Sequence, residues 1–116
     1  MSVTIYGIKN CDTMKKAFAW LKEHGVAYRF HDYRLEAIDR PSVEAWVKAL
    51  GWEKVLNRAG TTFRGLADAD KADLDEAKAL QLMVDHPTLI KRPILVSAKT
   101  ITAGFKPEIY AELFAG

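Results

Sequence analysis

One cysteine, Cys11, occurs in this chain of 116 residues, and its neighbourhood is the stretch best suited to chemistry. Asn10-Cys11-Asp12-Thr13 follows the β-like run Val3-Thr4-Ile5-Tyr6 and a turn at Gly7, just where an amphipathic helix begins. A thiol so placed meets unpaired backbone N–H groups and the positive end of the helix dipole. Both favour thiolate over thiol, lower the pKa and make the sulfur a nucleophile at neutral pH. Lys9, Lys15 and Lys16 flank the cysteine. Their charge is expected to act in the same direction and to draw an anionic substrate. Asp12 and Thr13 read as caps for the N–H groups of the first turn, and Asn10 as orienting or shaping the thiol loop. The plain alternative is a buried small hydrophobe, the usual condition of a lone cysteine.

These residues depend on the elements that carry them. Met14, Ala17, Phe18 and Leu21 recur at i, i+3, i+4 and i+7, one face of a helix that Gly25 ends. Residues 26–33 alternate weakly, with Tyr28, Phe30 and Asp32 on one side, and predict a second strand. One helix joins the two strands, so a parallel pair with a right-handed crossover is expected. Asp39 caps a second helix with Pro41 in its first turn, Val43, Trp46, Val47 and Leu50 inward, and Gly51 at its end. A further turn spans 52–56. The loop Asn57-Arg58-Ala59-Gly60 then leads to a short segment reaching Leu66, capped by Thr61 or Thr62.

A helix is expected over about 73–85, with Leu74, Ala77, Leu80, Met83 and Val84 inward, broken by His86-Pro87. Residues 92–96 form a short apolar run suited to a strand buried on both faces. A turn at 97–99 leads to an antiparallel partner at 100–102. Pro107 opens a last helix carrying Ile109, Tyr110, Leu113 and Phe114. The order is β-α-β, a helical block, then β-β-α, an α/β arrangement with a mixed sheet.

The length predicts one domain over 1–116, with the helical insertion at about 39–91. The chain is 49% hydrophobic and 28% charged, an ordinary globular balance. A net charge of +2, without an arginine-rich tract, gives no reason to expect nucleic-acid binding. A single cysteine excludes an internal disulfide framework and suits a reducing cytoplasm. No run is apolar enough to span a bilayer, and the first residues lack the order of a signal peptide. His24, His31 and His86 have no ligand spacing, so no metal is expected.

Four ordered blocks resemble a known family: residues 6–17 around Cys11, residues 56–64 from Leu56 to Arg64, residues 86–96 from His86 to Val96, and Gly104-Phe105-Lys106-Pro107. The chain resembles the arsenate reductase-like (ArsC/Spx) family, and within it the small YffB-type subgroup. The resemblance implies a thioredoxin-like fold with a helical insertion. It makes Cys11 the nucleophile and Pro93 a cis-proline facing it. It also implies basic residues that hold an oxyanion or carboxylate near the sulfur: Arg92, Lys106 in a place where arsenate reductases have arginine, and either Arg58 or Arg64. Spx-type regulators carry Cys-x-x-Cys, whereas the fourth position here is Met14. Gly7, Ile8 and Met14 replace the histidine, asparagine and serine of arsenate reductases. A single thiol needs an external one to release a mixed disulfide.

The function expected is therefore a glutathione-dependent thiol-disulfide oxidoreductase with no tightly bound cofactor. Glutathione is the co-substrate, a protein disulfide or glutathionylated protein the substrate, and arsenate a variant electrophile. The alternatives are an Spx-like module that docks on RNA polymerase without turnover, and a structural domain with an inert thiol. A cytoplasmic monomer with no membrane partner completes the expectation.

Overall fold

A computed structural model describes residues 3–9, 11–97 and 100–114. In chain order the elements are β1 (Thr4–Gly7), α1 (Asp12–Glu23), β2 (Arg29–Asp32), α2 (Arg40–Leu50), α3 (Trp52–Val55), α4 (Thr61–Arg64), α5 (Asp68–Lys71), α6 (Glu76–Asp85), a 3-10 turn (Pro87–Leu89), β3 (Ile94–Val96), β4 (Ile101–Ala103) and α7 (Pro107–Leu113). They form two compact units, residues 1–36 with 92–116, and residues 37–91.

The first unit is built on a four-stranded mixed sheet in the order β2-β1-β3-β4. β1 pairs with β2 in parallel, as a single crossover helix requires, and with β3 antiparallel; β3 and β4 are antiparallel. The alternation of each strand gives the sheet two faces. On one, Val3, Ile5 and Leu95 pack with Met14, Ala17 and Leu21 of α1 and Tyr110 of α7. Tyr110 fixes α7 edge-on against the Trp20 ring at 5.5 Å and the Phe105 ring at 4.8 Å. His24, at the C-cap of α1, stacks on Trp20 and pairs its Nδ1 with the Trp20 carbonyl at 2.8 Å.

Gly7 is the last residue of β1 rather than a turn. Its backbone is not left-handed; glycine suits the position because the Met14 thioether occupies the space a Cβ would take. β2 is shorter than the alternation predicts. Tyr28 precedes it and is exposed, while Phe30 is half-buried and Asp32 buried. The Asp32 carboxylate accepts the Arg34 N–H at 2.8 Å, turning the chain immediately after the strand. The strand expected over 92–96 begins at Ile94, and its partner is β4. Of the turn expected at 97–99, residues 98 and 99 lie outside the described residues.

The second unit is helical. Asp39 caps α2 through the Ser42 N–H at 3.0 Å, with Pro41 in the first turn, and Val43, Trp46 and Val47 are buried. Gly51, at φ 89, ends that helix in a conformation that favours glycine. The helix expected over about 73–85 is found as α6 and starts at Glu76, since Asp73 takes φ 51 outside it; the short α5 precedes it. α6 starts from an Asp75 cap on the Lys78 N–H at 2.8 Å. Its buried stripe is Ala79, Leu82 and Met83, turned toward α2; Ala77 is exposed, and Leu80 and Val84 are half-buried. Neither Thr61 nor Thr62 caps α4. Gly60 holds the N-cap position, and the Thr62 hydroxyl pairs with that of Thr88 at 3.0 Å. A bridge between Leu56 and Ile90, flanked by Asn57 N–H to Leu89 carbonyl at 2.7 Å, closes the unit. No described helix is long and apolar enough to cross a membrane.

Candidate active site

Strand register gathers one end of the sheet in the first unit. Gly7 is opposite Asp32, and the N–H of Tyr33, the next residue, donates to the Gly7 carbonyl at 2.8 Å. Tyr6 is opposite Ile94, so the antiparallel β3 starts at the end where β1 finishes. Ile94 is opposite Ala103, and the Gly104 N–H donates to the Pro93 carbonyl at 2.9 Å. Four chain segments thus meet at this end: the loop to Cys11, the turn at Tyr33, Arg92-Pro93, and the exit toward Lys106. The Arg92–Pro93 peptide bond is cis.

Cys11 itself is the N-cap of α1, extended at φ −129 and ψ 130, and its carbonyl accepts the Lys15 N–H at 3.0 Å. The caps expected from Asp12 and Thr13 are absent. Both residues lie inside the first turn, where their side chains make no capping bond. The sulfur occupies that position in their place. It forms no hydrogen bond of full capping geometry, yet the N–H groups of Met14 and Thr13 are directed at it closely enough to act on its charge. Partial burial pushes the Cys11 thiol up; the backbone N–H groups of Met14 and Thr13 oppose it, followed by a hydrogen bond from Arg92 and its charge. The net result is a pKa below the ordinary thiol value. The half-buried Cys11 thus remains reachable while being biased toward thiolate.

The basic residues divide. Within the first unit, Arg92 is the one charged side chain among the described residues whose charge reaches the sulfur. Lys9, Lys15 and Lys16 are exposed, where water screens a flexible ammonium. Lys106 is exposed at the N-cap of α7, at the same end of the sheet. Arg58 and Arg64 belong to the second unit. The Arg58 guanidinium lies over the Trp52 ring at 5.8 Å, and Arg64 donates to the Ala59 carbonyl at 2.6 Å. Asn10 lies outside the described residues.

Sequence reasoning did not single out Tyr33, the residue after β2. Its ring is buried beside Arg92 and Tyr6, and its hydroxyl has no hydrogen-bond partner among the described residues. The available signal was its place directly after a strand whose His31 faces Tyr6, ring to ring at 4.8 Å. Among the described residues no cluster of histidine, cysteine and carboxylate side chains is arranged for a metal ion. An open groove of about 460 Å³ lined by Phe18, Ala19, Lys22, Val26, Ala27 and Tyr28 holds none of the predicted site residues.

Comparison with known proteins places this geometry in context. The model of the ArsC family matches residues 6–113. A solved YffB protein is similar at 57% identity, covering 96% of this chain and 97% of that one, with a TM-score of 0.94. An arsenate reductase (ArsC) related protein from Brucella melitensis is 50% identical over 98% of this chain and 95% of its own, with a TM-score of 0.77. An uncharacterized protein of Haemophilus influenzae is 40% identical over 113 residues, 97% of this chain and 99% of its own. The shared architecture is the thioredoxin-like mixed sheet with a helical block in the middle of the chain.

Proposed function

The chain belongs to the ArsC family, and from that premise we propose that it is a glutathione-dependent thiol-disulfide oxidoreductase with Cys11 as its only nucleophile. One observation carries the proposal. The Cys11 sulfur stands at a helix start, with two N–H groups and the Arg92 side chain favouring its thiolate.

The chemistry proceeds in two exchanges. The Cys11 thiolate attacks the glutathione sulfur of a glutathionylated protein; the S–S bond breaks, and the protein thiolate leaves and takes a proton from water. A second glutathione thiolate then attacks the glutathione sulfur now bound to Cys11. Oxidised glutathione departs, and the electron pair of the broken bond returns to Cys11. The chain has one cysteine, so the resolving thiol comes from outside it. Arg92 serves both steps, since it stabilises the attacking thiolate first and the same thiolate as leaving group second. Lys106, exposed at the same end of the sheet, is suited to a glutathione carboxylate. Arsenate is a second electrophile for the same sulfur. A lysine at 106 offers a point charge where arginine would offer a planar fork, which favours the thiol reaction over the oxyanion one.

Mass spectrometry after treatment with oxidised glutathione tests the reading, with Cys11→Ser and Arg92→Ala alongside. The expected result is one adduct, at Cys11, that forms more slowly in Arg92→Ala. If no adduct forms, or if its formation is indifferent to Arg92, the proposal fails. RNA polymerase recovered equally by wild type and Cys11→Ser, with no thiol turnover, would instead support a docking role of the Spx kind.

A further inference from the structure

The sheet order ends on β2, which leaves that strand with one open edge. The N–H groups of Arg29 and Tyr33 donate to the Val3 and Gly7 carbonyls, each at 2.8 Å, so the odd-numbered residues face β1. Tyr28 and Phe30 therefore turn their backbone N–H and C=O groups outward, and no described group pairs with them. At Asp32 the outer carbonyl is taken by the Leu35 and Glu36 N–H groups, at 3.1 and 2.9 Å, which closes the edge there.

The side chains along this open stretch are aromatic. Phe18 of α1 stacks on the Tyr28 ring at 5.6 Å and meets the Phe30 ring edge-on at 5.0 Å. Tyr28 is still 37% exposed. The groove of about 460 Å³ lies against this cluster, and Lys22 is its one charged lining residue. Every residue of the groove belongs to the first unit. No carboxylate among the described residues pairs with Lys22, nor with Lys15, seven residues earlier on the same flank of α1. Glu23 stands about 100° further round the helix. Arg29 points to the other face of the strand, where Glu36 holds it at 2.6 Å.

An unpaired strand edge beside an apolar groove suits strand addition: backbone bonds hold an extended peptide, and the groove takes alternate side chains. Lys22 sets the sign of the occupant. A second copy docked patch to patch would bring two such lysines into one interface, which disfavours it. We propose that the outer edge of β2 and this groove bind an extended segment of a protein partner by strand addition, with apolar side chains in the groove and a carboxylate on Lys22. This deepens the reading of Cys11 given above and rests on it for the partner's role. β2 runs to Asp32, opposite Gly7, so the edge leads toward the end of the sheet that carries Cys11. The partner is then the glutathionylated protein that the thiolate attacks.

The test is an NMR titration of the full isotope-labelled chain, kept reduced, with the capped cysteine-free peptide Thr-Val-Thr-Glu-Thr-Val-Thr-Glu. Its valines and glutamates share one face. Amide shifts are expected at Tyr28, Phe30 and Lys22, with slowed hydrogen exchange at the Phe30 N–H. Lysine in place of glutamate in the peptide should weaken binding roughly 3–10-fold, and Lys22→Glu should reverse the preference. Should Lys22→Glu not fold, Lys22→Gln takes its place and should abolish the preference. N-methylation of one alternate set of peptide groups should prevent binding, and of the other set should be tolerated.

The proposal is overturned if Tyr28 and Phe30 do not shift, if the two peptides bind equally, or if their preference survives the change at Lys22. It is also overturned if the free chain is a dimer with the Phe30 N–H already protected, since a second copy then covers the edge. With a glutathionylated cysteine added, the acidic peptide should be cleared roughly 3–10-fold faster than the basic one; equal clearance overturns the partner's role as substrate. Clearance of neither peptide, with binding intact, removes the glutathione reading alone and leaves the strand-addition site standing.

Discussion

At the scale of single residues, the sulfur of Cys11 is controlled mainly by neighbours that hold fixed positions. Backbone N–H groups of Met14 and Thr13 are held in place by the helix and, with Arg92, lower the thiol pKa, whereas Lys9 and Lys15 stand exposed on the surface. Alkylation by iodoacetamide should therefore show a midpoint below the value of about 8.5 of a free cysteine, which unfolding in urea should restore. The sign is that of an acid made stronger: reactivity persists as the pH falls below the unfolded midpoint and is lost only through the folded one. Arg92→Ala should raise the midpoint but leave the backbone contribution in place. Cys11 was legible because its setting, strand then helix start, is written locally. The burial of Tyr33 was not, because alternation alone says nothing of what lies opposite. Asp12 and Thr13 were misread as caps because their types suit that position, although the thiol one residue earlier occupies it.

At the scale of elements, the contact that seats α1 on β1 is Met14 against Gly7. Gly7→Ala places a methyl group where the thioether lies, so one of the two must yield. Overpacking of that kind costs about 1–3 kcal/mol, and a urea titration should show the loss. Because Met14 belongs to the first turn of the helix that carries Cys11, alkylation kinetics should change in the same variant. The helix caps separate in a similar way. Asp39→Ala and Asp75→Ala each remove a side chain that accepts an N–H, and each should cost about 1 kcal/mol. Thr61→Ala should change stability by less than about 0.5 kcal/mol, since Gly60 is the cap there. Helices α1 and α2 were legible through their spacing and stops. The start of α6 was not, since Asp73 has a left-handed backbone and Asp75 is the cap, and aspartate is common both in helix starts and in such bends.

At the scale of the whole molecule, two buried phenols set the alkaline limit of stability. Tyr33 and Tyr110 both have their ionisation pushed well above the usual tyrosine value by burial. An unfolded tyrosine ionises near pH about 10, so the folded state holds more protons than the unfolded one above that point. The stability these groups contribute is complete below pH about 10 and is lost as the pH rises beyond it. Urea titrations from pH 8 to 11 should show the decline, and Tyr33→Phe and Tyr110→Phe should each flatten it. The order of elements and the mixed sheet were legible because β-α-β and β-β-α leave few arrangements open. The exact strand ends were not, since Val26-Ala27-Tyr28 continues the pattern before the first ladder residue of β2, and Arg92-Pro93 stands before that of β3.

Met14, where the resemblance to Spx-type regulators implies a second cysteine for them, is entirely shielded from solvent. Peroxide reaching this end of the sheet therefore finds one accessible sulfur, and what happens next is decided by the surroundings rather than by the chain. A sulfenic acid at Cys11 has no partner thiol within the molecule to trap it, so it either condenses with a small thiol or advances to the irreversible sulfinic form. The ratio of those two products should shift toward the mixed disulfide as the thiol concentration rises, which mass spectrometry of peroxide-treated protein can follow.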